Sequence, residues 1–527
     1  MTAFTLTLDR VTYTLPDGRV LFSDLSTSFD TTPTGLVGRN GVGKSVLGRL
    51  LAGSLAPTTG QIHRQGQVRL LAQHSAAPEG RIADLAGVAP VLDALARVEA
   101  GSVSEEDFVR VGEQWTLREQ LQAQWQQLGL PMLDPQAPAR HLSGGQAMQV
   151  ALAGALLSGA DALVLDEPSN HLDRAHRHRL IDVLAQWRGG LIVISHDRAL
   201  LRQMSRIVEL SASGLHSYRG NFDHYAAQKA QAQQAAEAEL AHHRQARRQL
   251  QATEREQRDR EAHRQARATR DARTANQAPI LLGGMKNRSE HSAGRRETQR
   301  LERHATLDAR VRAAAAQVED VAEIALLGPA ASPGPQISAE LVDLRLPWTA
   351  ASGAAINLRV VRGARIAIEG PNGSGKSTLL RVLAGVLEPE AGVVKRFATT
   401  ALLDQNLASL PDEESALELL QRANPGALEG TLRTRLALLG LDAERSLRPM
   451  CTLSGGERMK AALAAVLYAQ EPPQLLLLDE PGNHLDLPSL AALEAMLRGY
   501  SGSLVIVSHD DALLEAVGVT ARHRQPG

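Results

Sequence analysis

The chain has 527 residues, of which 43% are apolar and 22% charged, with a formal net charge of −1. That length accommodates two to four domains of roughly 150 residues, and the apolar share excludes wholesale disorder. The single cysteine, Cys451, excludes an intramolecular disulfide framework and fits a reducing compartment, and no run reaches the roughly 20 consecutive apolar residues of a membrane span.

Aromatic residues make up only 3%, so the cores must be built from Leu, Ala and Val. Met1-Thr2-Ala3-Phe4 offers neither a basic nor an apolar leader region, and the expectation is a cytoplasmic protein.

The first informative element is an apolar segment, Thr34-Gly35-Leu36-Val37, that runs into Gly38-Arg39-Asn40-Gly41-Val42-Gly43-Lys44-Ser45 and then a helix-like run, Val46 to Ala52. Strand, glycine loop and helix in that order form a phosphate-binding loop. The glycines let successive N–H groups turn toward the phosphates, at a helix start whose dipole favours anions. Lys44 is then expected to reach the β- and γ-phosphates and Ser45 to hold Mg²⁺. Gln73, further along, is the candidate to complete the Mg²⁺ and water contacts.

Leu142-Ser143-Gly144-Gly145-Gln146 opens another helix-like stretch, so Ser143, Gly144 and Gly145 predict a second anion-binding helix start. One copy of such a machine has no use for two phosphate sites; the motif makes sense if it closes over nucleotide held elsewhere. Next, Leu163-Val164-Leu165 feeds into Asp166-Glu167-Pro168, the pattern of a buried parallel strand with carboxylates at its end. There Asp166 is expected to position Mg²⁺ and Glu167 to polarise the attacking water. Asn170-His171-Leu172-Asp173 comes next, and Leu191 to Ile194 leads into Ser195-His196-Asp197, with His196 as the candidate γ-phosphate sensor.

Between Phe222 and Asp320 the composition changes: 19 Lys and Arg against 14 Asp and Glu, with Arg supplying 17 of the cations. From Ala226 to Ala275 there is no Gly or Pro, and fifty residues rich in Ala, Gln, Arg and Glu predict a helix about 75 Å long. Ala278-Pro279 breaks it, Ile280 to Arg288 forms an apolar then basic tip, and a second helical stretch runs from about 293 to 325. The prediction is an antiparallel hairpin with little apolar surface of its own, Leu240 and Leu250 excepted. A solvated spacer is the bland interpretation. The arginine bias and basic tip favour a probe entering structured RNA, with Lys286, Arg288, Arg295 and Arg296 as contact candidates.

Then everything recurs. Gly370-Pro371-Asn372-Gly373-Ser374-Gly375-Lys376-Ser377 repeats the phosphate loop, with Thr378 following. Gln405 follows Lys376 at the same spacing by which Gln73 follows Lys44. Ser454, Gly455 and Gly456 repeat the helix start, Asp479-Glu480 the strand end, and Asn483-His484-Leu485-Asp486 the loop beyond it. His509 stands as far from Asp479 as His196 does from Asp166. The copies differ mainly before the Ser-Gly-Gly motif, where the first carries about 21 extra residues within 86–125. The fold class is therefore α/β: two P-loop domains over 1–225 and 335–527, joined by a helical hairpin over 226–334 with its tip near 280–292.

These motifs resemble the ATP-binding cassette superfamily, whose Walker A, Q-loop, signature, Walker B, D-loop and switch-His motifs appear in order, twice, over about 420 residues. The resemblance implies head-to-tail pairing. One ATP site then uses Lys44, Ser45, Gln73, Asp166, Glu167 and His196, closed by Ser454, Gly455 and Gly456. The other uses Lys376, Ser377, Gln405, Asp479, Glu480 and His509, closed by Ser143, Gly144 and Gly145. Tyr13 falls where that family stacks adenine; the second copy has no clean equivalent, with Trp348 as its candidate.

The tandem arrangement, with Tyr218-Arg219-Gly220-Asn221-Phe222 at the entry to the linker, resembles the ABC-F family, which lacks membrane domains and acts on ribosomes. The resemblance implies ATP and Mg²⁺ as cofactors and a linker reaching the ribosomal E site, with rRNA and P-site tRNA as partners. It further implies a monomer without a membrane subunit that modulates translation or protects ribosomes from antibiotics. A DNA-binding repair or chromatin-type ATPase is the alternative, and a transporter motor a more distant one. From the 17 residues that follow Asp510, the expectation is that the C-terminal coiled coil of DNA-associated relatives is missing.

Overall fold

The computed structural model describes residues 4–72, 80–170, 172–274, 303–315, 334–347, 355–405, 407, 410–483 and 485–525. The chain divides into two units, Met1–Tyr225 with Ala322–Gly527, and Ala226–Val321.

In the first copy, β1 (Thr5–Thr14), β2 (Val20–Phe29) and β4 (Thr59–Gln65) form a small antiparallel sheet, order β2-β1-β4. The main sheet has six strands: β3 (Thr34–Gly38), β5 (Val68–Leu71), β6 (Ala162–Asp166), β7 (Gly190–Ile194), β8 (Arg206–Ser211) and β9 (Gly214–Arg219). Their order is β5-β6-β7-β3-β8-β9, parallel except for the β8–β9 pair. Every residue of β6 and β7 is buried, as a strand covered on both faces requires. Alternation splits β6 between two cores: Leu163 and Leu165 join one, Ala162 and Val164 the other.

Helices flank this sheet: α1 (Lys44–Leu51), α2 (Ile82–Ala86), α3 (Ala89–Glu99), α4 (Glu105–Val111), α5 (Leu117–Leu128), α6 (Gly144–Leu157), α7 (Arg174–Gln186) and α8 (Arg198–Leu201). The strand order places the C-terminal ends of β6, β7 and β3 side by side, with Asp166 opposite Ile194 and Ile194 opposite Leu36. Segments far apart in sequence thus meet at one edge, the edge where doubly wound sheets bind ligands.

The linker unit contains most of α9 (Phe222–Thr274) together with α10 (303–315). A helix of 53 residues is about 80 Å long. Glu254 meets His304 (2.7 Å) and Arg247 meets Asp308 (3.4 Å), pairings that run in opposite directions along the two helices and make them antiparallel. Leu240 and Ala314 are buried, with Leu250, Leu307 and Val311 partly so. The expected tip near 280–292, with Lys286, Arg288, Arg295 and Arg296, lies outside the described residues, as does the return stretch apart from 303–315.

The second copy repeats the plan. β10 (Ile337–Arg345), β11 (Ile356–Val361) and β13 (Ala391–Arg396) form the small sheet. β12 (Arg365–Glu369), β14 (Thr400–Leu403), β15 (Leu475–Asp479), β16 (Ser503–Val507) and β17 (Ala521–Arg524) form a parallel sheet, order β14-β15-β16-β12-β17. Its helices are α11 (Lys376–Ala384), α12 (Ala416–Ala423), α13 (Glu429–Leu438), α14 (Gly455–Leu467), α15 (Leu487–Gly499) and α16 (Asp511–Ala516). Residue pairs Arg81–Pro138 and Ser415–Pro449 pin α2 and α12 at equivalent places, so the extra residues of the first copy fall at α3 and α4. No helix among the described residues is long and apolar enough to cross a membrane.

Candidate functional site

Each phosphate loop turns on glycines in the left-handed region: Gly41 (φ 78°) and Gly43 (φ 106°) in the first copy, Gly373 (φ 82°) and Gly375 (φ 88°) in the second. Gly43 and Gly375 are the N-caps of α1 and α11 and have no side chain to cap them, so the first helical N–H groups stay available to an anion. Lys44 Nζ donates to the carbonyls of Gly38 (2.8 Å) and Arg39 (3.0 Å), and Lys376 Nζ to those of Gly370 (2.8 Å) and Pro371 (2.9 Å). Burial lowers both ammonium pKa values, against the pull of neighbouring carboxylates. A Cβ on Gly43 would lie 2.7 Å from Leu21 Cδ2 in a backbone conformation disfavoured for L-residues. Gly43→Ala is therefore expected to lose about 1–3 kcal/mol of loop stability and to weaken nucleotide binding at the first site, read by equilibrium titration with ATP.

At the strand ends, burial raises the carboxyl pKa values of Asp166 and Asp479, against the opposing pull of the neighbouring Ser45 and Ser377 hydroxyls and the loop lysines. Glu167 (φ 51°) and Glu480 (φ 47°) occupy the left-handed region, about 1–3 kcal/mol of strain each. Their amides donate to the carbonyls of Ile194 (2.8 Å) and Val507 (2.9 Å), which turns each side chain off the end of its strand. The carboxylates point toward the histidines: Glu167–His196 is 3.6 Å and Glu480–His509 is 3.4 Å. Burial pushes both glutamates up to about 8 and lowers His196 to about 3 and His509 to about 4. Both imidazoles are neutral at pH 7. Asp166 Oδ1, Glu480 Oε1 and both ring nitrogens of His196 are buried with no hydrogen-bond partner among the described residues. Such atoms are costly unless something completes them. A hydrated divalent cation and a phosphate chain fit that donor and acceptor set.

The two copies face each other through these motifs. The Asn40 N–H donates to Asp486 Oδ2 (2.8 Å) and the Asn372 N–H to Asp173 Oδ2 (3.3 Å), so each phosphate loop is held by the other copy. The second oxygen of each Asp caps a helix, Asp173 accepting from the His176 N–H of α7 (3.0 Å) and Asp486 from the Ser489 N–H of α15 (2.9 Å). A cleft of 310 Å³ brings Asn40, Gly41, Glu167 and His196 of the first copy against Ser454 and Gly455 of the second. Of the residues expected in the first composite site, Glu167, His196, Ser454 and Gly455 share this cleft.

Ser143 and Ser454 cap α6 and α14 with the reciprocal box made by Gln146 and Glu457. The 500 Å³ cleft beside Gly370 and His509 is lined from the first copy by Asp173, Arg174 and His178, and Ser143–Gly145 are not among its walls. Gln405 is exposed in a turn; Gln73 and Trp348 lie outside the described residues. Tyr13 is half-buried on β1, its ring 6.3 Å from Phe22. Sequence reasoning gave no site role to Asp173 and Asp486, although their repeated spacing marked them. It also missed Arg177, which lines the first cleft and has Leu490 as its counterpart.

The ABC transporter family profile matches residues 25–170 and 354–483. The tylosin resistance ATP-binding protein TlrC of Streptomyces fradiae is 33% identical over 524 residues, covering 94% of this chain and 92% of that protein. The ribosome protection protein VmlR of Bacillus subtilis (strain 168) is 30% identical over 539 residues, 97% of this chain and 85% of its own. The probable ATP-binding protein YheS of Escherichia coli (strain K12) is 30% identical over 500 residues, 92% and 72% respectively. Among solved structures, an RNase-L inhibitor superposes with a TM-score of 0.58 at 19% identity, covering 99% of this chain and 90% of that one, a likeness of fold. Duplicated phosphate loops, reciprocal contacts between the copies and full-length similarity across the linker lead to one assignment: the chain is an ATP-hydrolysing member of the ABC-F family of tandem ATP-binding cassette proteins.

Proposed function

We propose that this ATPase binds the ribosome through its helical linker, in the E-site region with rRNA and P-site tRNA as contacts, and modulates translation or protects the ribosome from antibiotics. The observation that carries the reading is similarity running through both cassettes and the linker to proteins named for ribosome protection and for tylosin resistance. The cytoplasm is the compartment, and one chain supplies both halves of each site, so a monomer suffices. Residues 1–225, 226–334 and 335–527 act as cassette, linker and cassette.

Within each site, Lys44 or Lys376 binds the β- and γ-phosphates, with the glycine loop N–H groups and, across the interface, Ser454–Gly456 or Ser143–Gly145. Tyr13 packs on adenine in the first site. Mg²⁺ bound with the nucleotide neutralises phosphate charge, and Ser45, Gln73 and Asp166, or Ser377, Gln405 and Asp479, would hold it. Glu167 and Glu480 orient water and take its proton. Burial raises the Glu167 pKa and Lys44 opposes that rise; added positive charge in the loaded site acts in the same direction as Lys44. His196 and His509, kept neutral by burial, hold the γ-phosphate end. Closure over two nucleotides favours the ribosome-bound state, and hydrolysis reverses it; a swing from 1:99 to 99:1 needs about 5.5 kcal/mol of differential binding.

The test is co-sedimentation with ribosomes in ATP, with and without residues 280–292, as salt is raised. The expected result is linker-dependent binding that weakens steeply with salt, as phosphate contacts require. Binding indifferent to removal of the tip would end the proposal.

A further inference from the structure

The pairs of residues that flank the interface are not equivalent in the two copies. Arg177 stands on the first turn of α7 after Asp173, and its counterpart at the same offset from Asp486 is Leu490. Its Nη1–H donates to the backbone carbonyl of His509 in the opposite cassette at 3.1 Å. Its Nε lies 3.1 Å from Asp197 Oδ2, the residue after His196 in its own cassette, an ion contact without hydrogen-bond alignment. The Arg177 and Asp197 side chains are only 17% and 7% exposed, so the contact is shielded from solvent. One guanidinium therefore touches both switch-histidine loops. The first turn of α7 also holds the second phosphate loop, through Asp173 and the Asn372 N–H. Leu490 is an apolar, buried side chain and offers no hydrogen bond to the carbonyl of His196.

The geometry points to Arg177 as a positioning residue that ties the switch loops of the two ATP sites together, bonding the His509 carbonyl of the second site from the first cassette, while Leu490 can make no such bond to the His196 carbonyl in return. Both loops have their own support: Asp197 caps α8 through Ala199 and Leu200 N–H, and Asp510 caps α16 through Ala512 and Leu513 N–H. Arg174–Asp511 and Arg198–Glu494 also cross between the cassettes beside these loops, and Arg177 adds the bond made to the histidine's own backbone carbonyl. The consequence is a directional link. The second site hydrolyses at full rate only while α7 of the first cassette is seated. The inference rests on the reading of His196 and His509 as γ-phosphate contacts made above.

Steady-state ATP hydrolysis by the full chain separates these outcomes. Glu167→Gln leaves only the second site firing and Glu480→Gln only the first. In the Glu167→Gln background, Arg177→Leu is expected to lower kcat about tenfold with KM for ATP within about twofold, because a loop displaced by a fraction of an ångström costs rate before binding. In the Glu480→Gln background the same substitution is expected to change kcat by less than about twofold. Arg177→Lys keeps the charge but cannot span both partners, so it should fold as the parent does and give an intermediate kcat in the Glu167→Gln background. A kcat unchanged by Arg177→Leu, or lowered equally at both sites, would overturn the inference. If His509→Ala leaves turnover in the Glu167→Gln background intact, the underlying assignment of the histidine fails instead.

Discussion

Changing both Glu167 and Glu480 to Gln is expected to lower ATP turnover by about 10²–10⁴-fold while leaving nucleotide affinity nearly unchanged. The amide keeps the shape and hydrogen-bonding reach of the carboxylate but cannot accept a proton from water. Each side chain stands in a left-handed backbone turn fixed by a hydrogen bond from its own N–H to a carbonyl of the neighbouring strand, and that turn does not depend on the carboxylate charge. Burial raises both carboxyls to about 8, so the neutral amide replaces a group already neutral in the empty cleft and folding should be undisturbed. Phosphate release and ATP titration check the two halves of the expectation. On ribosomes the variant should accumulate and inhibit translation; normal cycling would remove the glutamates from their assigned role.

Arg198→Glu is expected to weaken closure of the two cassettes by about 3–5 kcal/mol, the cost of breaking a buried ion pair. Arg198 Nη1 donates to Glu494 Oε1 across the interface at 2.6 Å, with the two side chains 14% and 11% exposed. The substitution sets two carboxylates against each other where little water reaches. The ATP concentration for half-maximal turnover should rise by about 10²–10⁴-fold, since about 1.4 kcal/mol is a factor of ten. Adding Glu494→Arg restores opposite charges and should recover most of the loss; failure to recover would place the effect of Arg198→Glu within its own cassette.

Much of this site is legible from the residues alone, and the reason is duplication. Asp166 and Asp479 each close a strand whose residues are all buried, so the pattern of an apolar run into a carboxylate reports a real strand end. Gly43 and Gly375 sit at helix starts with positive φ, the geometry their spacing to lysine implies. The helix starts at Ser143 and Ser454 follow from the capping box, a local signal. What could not be read was long-range. Asn40 meets Asp486 across 446 positions, and no local rule pairs them. The positive φ of Glu167 and Glu480 is a tertiary strain that propensity argues against for a glutamate. Arg177 stayed invisible because it breaks the very repeat that revealed its neighbours.

The charges that line the junction have a handedness. Arg174, which reaches Asp511 at 2.8 Å and Glu369 at 3.7 Å, joins Arg177 and Arg198 on one half, while Glu369, Glu494 and Asp511 lie on the other. At the matching positions, Leu487, Leu490 and Asp511 replace Arg174, Arg177 and Arg198. A rotation that would superpose one half on a twin of itself therefore brings cation against cation, and like charges in close quarters are rejected. Severed and mixed, the two halves should sort into unlike couples, and the peptide tether, by keeping the right mate at high local concentration, makes mispairing between neighbouring molecules rarer still.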